Sequence, residues 1–415
     1  MRRRLPPALR HRDFAFLWVA LLADGFGAQM IAVAVGWQVY EIHRNPLDLG
    51  LIGLMEFLPL PLLALPAGQL ADRLSRRFVY ACALALDSVV AGLLVWVSLA
   101  GATQLWPFLA LAGGAGIASA LGWPAARSLP PVLVPPDLLG GALALRGIAV
   151  QTSVIIGPAI GGVLFAFRPE LVYAVAAGLF VAALICTLGL REGAATEIAL
   201  EDPAPGLDTL LGGVRFVKHT PVVLGAILLD LFAVLFGGAV ALLPLFARDV
   251  LHVGPEGLGV LRSAPAAGAL IAGILLARRP IGGHAGRTLL VVVGVFGASM
   301  VVFGLSTTFW LSILALAVSG FADMFSMNIR STTVALATPN DLRGRVNAVE
   351  MVFISASNEL GAFESGVAAA LIGAVPAVVV GGILTVGIAV GWAWLFPPLA
   401  RVDRLEQLRP ATEQT

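Results

Sequence analysis

Five carboxylates interrupt long apolar runs: Asp24, Glu56, Asp230, Asp323 and Glu359. A charged side chain deep in a membrane-spanning helix costs roughly 2.5–3.5 kcal/mol, so each needs a partner, water or a function. At ~1.5 Å per residue, Asp24 and Asp230 fall ~15 Å into their runs, close to a bilayer midplane. Asp87, Glu350 and Glu364 also lie within apolar runs, whereas the comparable bases are Arg146, Arg262 and Arg330. Acids thus outnumber bases, an excess that is tolerable if several carboxyls carry a proton, because burial favours the neutral form. A carboxyl that is neutral when sealed and ionises when opened to water is a proton carrier by construction. Asp24 and Asp230 are expected to line a central cavity and bind protons or a cationic group. Capping a broken helix or pairing with a polar neighbour is their alternative role. Glu359, among Ser355, Ser357 and Asn358, comes next, followed by Glu56 and Asp323.

The elements that must position these groups follow from composition. Of 415 residues, 59% are hydrophobic and 12% charged, with mean hydropathy +0.93. A soluble domain has about a quarter of its residues charged, so this is an integral membrane protein. Apolar stretches run at roughly 14–39, 47–70, 78–100, 103–126, 142–167, 170–190, 221–247, 257–277, 287–306, 309–335, 345–373 and 376–398. Period-two alternation is lacking, and a backbone in lipid must satisfy its own hydrogen bonds, so the chain is read as all-α with 12 transmembrane helices. Arg2, Arg3, Arg4, Arg10 and Arg12 precede a first run too long for a signal peptide. Of 26 Lys and Arg residues, all but Arg44, Arg168, Arg248 and Arg262 fall on one side of the expected spans. That asymmetry puts both termini in the cytoplasm. Trp18, Trp106, Trp310, Trp392 and Trp394 stand near span ends and are expected to anchor at the interface.

The chain also repeats itself. Sliding it by 204 to 206 residues brings Asp24 onto Asp230, Gly68–Arg73 onto Gly273–Arg278, and Pro135–Gly140 onto Pro339–Gly344. The expected halves are 1–190 and 219–400, six helices each, joined by a cytoplasmic linker at 191–218 and followed by a tail at 401–415. The linker is acidic at Glu192, Glu197, Glu201 and Asp202, and Leu207, Leu210, Leu211, Val214 and Val217 then recur at helical spacing. An amphipathic helix on the inner leaflet is expected there. Two related halves suit alternating access, with a substrate site between them at the midplane.

The loop Gly68-Gln69-Leu70-Ala71-Asp72-Arg73-Leu74-Ser75-Arg76-Arg77 resembles the signature of the major facilitator superfamily, with Ser75 in place of a glycine. The resemblance implies that Gly68, Asp72, Arg73, Arg76 and Arg77 form a cytoplasmic gate. Asp72 would latch against the amino end of the eleventh helix, where a dipole and free N–H groups favour an anion. Gly157-Pro158-Ala159-Ile160-Gly161-Gly162 resembles the end of the antiporter motif in the fifth span, although Ser153 and Ala144 replace its upstream glycines. Gly157, Pro158, Gly161 and Gly162 are read as a helix-packing surface that can bend or slide. The loop at 339–348, with Asp341, Gly344 and Arg345, most resembles the subgroup of enterobactin exporters and macrolide efflux proteins. The superfamily fold also implies that span eleven, and so Glu359, lines the cavity, and that Asp87 is peripheral. The charged arginine of many drug/proton antiporters has no counterpart inside the fourth span, where Arg127 comes only at the end.

These features imply a secondary transporter in a bacterial inner membrane. The expected activity is proton-coupled export of an amphipathic drug, macrolide or siderophore-like compound by a monomer. Importing a polar metabolite, or acting as a non-transporting receptor or assembly protein, are the alternatives. The five histidines lie at loops or helix ends without ligand spacing, and Cys82 and Cys186 suggest neither a disulfide nor a metal cluster. An enzyme is therefore not expected, nor a cofactor, a metal or a nucleic-acid partner. Energy is expected from an ion gradient, since one proton crossing ~100 mV supplies ~2.3 kcal/mol.

Overall fold

The structure, a computed structural model, describes residues 6–63, 74–191, 207–279, 281–340 and 342–408, and every regular element among them is helical. The long helices are α1 (Arg12–His43), α2 (Pro46–Phe57), α3 (Arg76–Leu99), α4 (Trp106–Ser128), α5 (Leu139–Phe167) and α6 (Pro169–Leu188). Then come α7 (Leu207–His219), α8 (Pro221–Gly237), α9 (Pro255–Arg278), α10 (Ala285–Leu305), α11 (Phe309–Ala337), α12 (Arg343–Ile372) and α13 (Ala374–Leu395). Starts and stops follow local chemistry. Ser75 caps α3 by accepting the Phe78 amide at 3.2 Å, and α2, α6, α8 and α9 open on proline, whose missing N–H costs nothing in a first turn. Gly373 separates α12 from α13 at φ 91°, a conformation that a side chain would resist.

Among the described residues, eleven helical segments are long and apolar enough to cross a membrane. Helix α12 has 30 residues but is not one of them, because Ser355, Asn358, Glu359, Glu364 and Ser365 break its apolar character. The expected linker helix is present as α7, while 192–206 lie outside the described residues.

Two compact units form. The first contains Met1–His43, Met55–Ala204 and Gly254–Ser263; the second contains Arg44–Leu54, Pro205–Val253 and Ala264–Thr415. Within the first, α1 packs on α5 and α6, and α3 on α4 and α6. Within the second, α8 packs on α12 and α13, and α10 on α11 and α13. The pairing scheme is the same in both. Phe14, Leu17, Tyr80, Leu84 and Phe180 centre the first core, and Val223, Leu229, Leu289, Ile329 and Val346 the second. Outward faces are apolar as well, with Ile185, Leu371 and Trp394 exposed, as a lipid surround requires.

Two of the expected interfacial tryptophans turn inward. Trp392 is buried and donates to the Gly225 carbonyl at 2.9 Å, and Trp18 donates to the Leu145 carbonyl at 2.9 Å. An indole near a span end meets its hydrogen-bonding need equally well at a neighbouring helix as at the headgroups. Trp106, Trp310 and Trp394 remain exposed.

Candidate functional site

In the first unit, Asp24 is half-buried on α1 and accepts a 2.9 Å hydrogen bond from the hydroxyl of Tyr80 on α3. Asp87, two turns along α3, lies within electrostatic reach of Asp24. Asp24 and Asp87 enter no ion pair among the described residues. Tyr80 was not expected as a site residue. A signal was present: the chain has three tyrosines, all buried, and two of them bond polar groups of α1, because Tyr173 donates to Gln38 at 2.7 Å. A hydroxyl placed in so apolar a chain must find an acceptor.

In the second unit, Asp230 on α8 is buried and meets Arg330 of α11 at 2.5 Å. Ser326, one turn before Arg330, accepts from its Nε at 3.1 Å. Asp323, on α11, and Glu350, on α12, both feel the charges of Arg330 and Asp230. Among the described residues Asp230 is the acid at ion-pair distance from Arg330, and Asp323 and Glu350 act on the pair from farther off. Asp323 is the exposed member of this group and Glu350 is half-buried.

Glu359 stands apart from that cluster. Its carboxylate faces the α2 segment of the same unit, with an oxygen 3.6 Å from where a Cβ on Gly53 would stand. Glu56 belongs to the first unit, where its backbone packs so closely on Gly116 of α4 that no side chain fits there. The structure therefore gathers Asp230 with Asp323, keeps Asp24 with Tyr80, and sets Glu56 and Glu359 against helix-packing surfaces.

The glycine motif of α5 makes two close contacts. A Cβ on Gly157 would stand 2.8 Å from Gln29, and one on Gly161 2.9 Å from Met30, both on α1. Gly162 lies directly on the backbone of Pro255, and Pro158 and Ala159 on that of Gly259, so this face seats the start of α9. A matching approach occurs in the second unit. Gly50 lies on Phe363 and Gly366, with a Cβ on Gly366 only 2.8 Å from the Gly50 Cα. Gly268 of α9 likewise admits Ala317 and Phe321 of α11.

Of the gating motif, Gly68, Asp72 and Arg73 lie outside the described residues. Arg76 donates to the carbonyl of Ser128, the last residue of α4, at 3.1 Å, and Arg77 donates to that of Leu188, the last of α6. Cations at carboxyl ends meet orphan carbonyls and the negative end of the dipole. Asp341 also lies outside the described residues. Gly344 has open space around it, and Arg345 packs on Gly212 and Gly213 of the linker helix. Among the described residues, no group of His, Cys, Asp and Glu is arranged to hold a metal.

Comparison with known proteins places these observations in a family. A family profile described as transmembrane secretion effector matches residues 5–412. The MFS-type transporter YfiS of Bacillus subtilis is 26% identical over 361 residues, 84% of each chain. Enterobactin exporter EntS of Citrobacter koseri is 26% identical over 391 residues, covering 90% of this chain and 91% of the exporter. Macrolide efflux protein A of Streptococcus pyogenes is 22% identical, covering 91% and 94%. A bacterial homologue of the human lysosomal transporter Spinster, solved inward-facing and occupied, superimposes with a TM-score of 0.73 at 16% identity. The match covers 94% of this chain and 96% of that one, and it establishes a shared fold.

Proposed function

The chain belongs to the transmembrane secretion effector family, within the major facilitator superfamily, and from that premise we propose that it exports an amphipathic organic compound in exchange for protons. Membership makes it a multi-pass membrane transporter of a small molecule. The finer reading is alternating access by a monomer in a bacterial inner membrane, with both termini cytoplasmic. Helix α12 supplies the twelfth span, and the halves are 1–190 and 219–400. A drug, macrolide or siderophore-like molecule is the class of cargo, a choice supported by relatives named for enterobactin export and macrolide efflux.

The observation that carries proton coupling is Asp24. Its carboxylate lies within a span and bonds a neutral hydroxyl rather than a cation. Such a group can take up a proton by rearranging one hydrogen bond, without stranding a buried counter-charge. Asp230, Asp323, Glu56 and Glu359 are the further candidates for the proton and substrate path. Gly68, Asp72, Arg73, Arg76 and Arg77 would close the cytoplasmic side, with Asp341, Gly344 and Arg345 in the matching loop. Gly157, Pro158, Gly161 and Gly162 would give the surface on which helices slide.

The test is accumulation of a lipophilic cation, a macrolide and a catecholate siderophore in efflux-deficient cells, with and without a protonophore. Wild type should lower accumulation of at least one of these. Both the protonophore and Asp24→Asn should abolish that effect while the protein remains in the membrane. If no compound moves, or if accumulation rises, export is wrong and uptake of a polar metabolite replaces it.

A further inference from the structure

On α11 the exposed residues change sides at the middle of the helix. In its first half Trp310, Leu311, Leu314 and Val318 are exposed, a single apolar stripe of the kind that faces lipid. On roughly the opposite side Ser312, Leu316 and Gly320 are buried, because Pro265 and Gly268 of α9 lie directly on Gly320 and Ala317. Beyond Gly320 this opposite side opens, and Asp323, Met327 and Ser331 are exposed. The three stand four residues apart, so on a helix they make one row with successive side chains ~6 Å from each other.

Lipid is not what this row meets. Asp323 is the middle residue of α11 (Phe309–Ala337), ~21 Å from either end, and a carboxylate at that depth faces water or a partner inside the protein. It is exposed and, among the described residues, enters no ion pair. The base on that side of α11, Arg330, is held by Asp230 at 2.5 Å. Asp323 acts beside that pair, whose charges cancel, and Glu350 adds a second carboxylate near it. An ionised Asp323 therefore leaves the row with a net negative charge. Met327 supplies an unbranched, polarisable side chain that moulds to apolar groups of different shapes. The Ser331 hydroxyl donates to the Asn328 carbonyl at 3.3 Å and so offers its lone pairs as acceptors.

We propose that Asp323, Met327 and Ser331 form a cargo-binding wall of the second unit, and that its ligand is an amphipathic cation, with a basic or quaternary nitrogen at Asp323 and an apolar body along Met327. Calling that ligand cargo rests on the export reading; its class follows from the wall.

The test uses the purified full chain in phosphatidylcholine nanodiscs, with Cys82→Ser and Cys186→Ser to remove the two native thiols. Met327→Cys and Val318→Cys are labelled with a cationic methanethiosulfonate, the ethyltrimethylammonium reagent, and an anionic one, the ethylsulfonate. Met327→Cys should react, whereas Val318→Cys, in the lipid stripe, should not. Relative to a free thiol in buffer, Met327→Cys should favour the cationic reagent about tenfold, as expected for a charge ~6 Å away across water. Adding Asp323→Asn should remove that preference, and Asp323→Glu should keep it. Tetraphenylphosphonium should slow labelling of Met327→Cys several-fold and neutral triphenylphosphine oxide should not. This contrast leaves Asp323 in place, so it decides the matter if Asp323→Asn fails to fold. An unreactive Met327→Cys, a preference that survives Asp323→Asn, equal protection by the two probes, or protection by neither would overturn the proposal. Efflux is measured separately. Protection without efflux sinks export and keeps the cation site, while efflux without protection does the reverse.

Discussion

Asp24 and Asp230 occupy one place in a duplicated unit yet keep different company. Asp24 leans on a tyrosine hydroxyl, whereas Asp230 is locked to a buried arginine. Helix pairings match between the units, while the chemistry at these two positions differs. The consequence is energetic. Protonating Asp230 would strand Arg330, a loss on the order of 3–5 kcal/mol. Protonating Asp24 rearranges one hydrogen bond from a neutral hydroxyl, a change of about 1.5–3 kcal/mol at most. The first carboxylate suits the proposed proton exchange, and the second suits holding α8 to α11.

The largest effect should come from Arg330→Gln, which leaves Asp230 buried and uncompensated. A loss of about 3–5 kcal/mol is expected in thermal unfolding of the purified protein. The double change Asp230→Leu with Arg330→Leu should recover most of that stability, since an apolar pair of similar volume replaces a buried ion pair at little cost. Recovery of export along with stability would show that the pair is structural only. Next, Gly161→Val and Gly366→Val should each cost about 1–3 kcal/mol by overpacking, because a Cβ there meets the backbone of Met30 or of Gly50. Equal losses would extend the symmetry from backbone to packing, while a tolerated valine in one unit would break it.

Asp24→Asn should change stability by ~1 kcal/mol or less and abolish protonophore-sensitive export. If it destabilises the protein as much as Arg330→Gln does, the distinction between the two acids disappears. Smallest of all, Arg76→Gln should cost about 0.3–1 kcal/mol in unfolding experiments by uncovering the end of α4.

Much of this was legible in the sequence. Apolar run lengths located eleven helical segments long enough to cross a membrane among the described residues, the recurrence of Asp24 at Asp230 goes with helix pairings that match between the units, and the Gly157–Gly162 motif identified a surface of close helix approach. All three depend on local pattern, which a chain displays directly. The partners of the acids depend on which helices meet, and that is a tertiary property. Nothing near Tyr80 in the chain points to Asp24, fifty-six residues away, and only the rarity of tyrosine sets it apart. Arg330 was visible as a buried base, but its choice of Asp230 over Asp323 was not. The interfacial reading of Trp392 failed for the same reason, because distance from a span end does not say which way an indole turns.

The division into units reaches beyond the protein to its gene. Residues 44–54 are encoded with the first half but pack within the second unit, on Phe363 and Gly366, and residues 254–263 make the reverse exchange, on Pro158 and Gly162. A gene cut at the linker codon would therefore yield two polypeptides, each missing a strip of its own interior and carrying one that belongs elsewhere. Such fragments should be inert when expressed singly and complement one another when co-expressed.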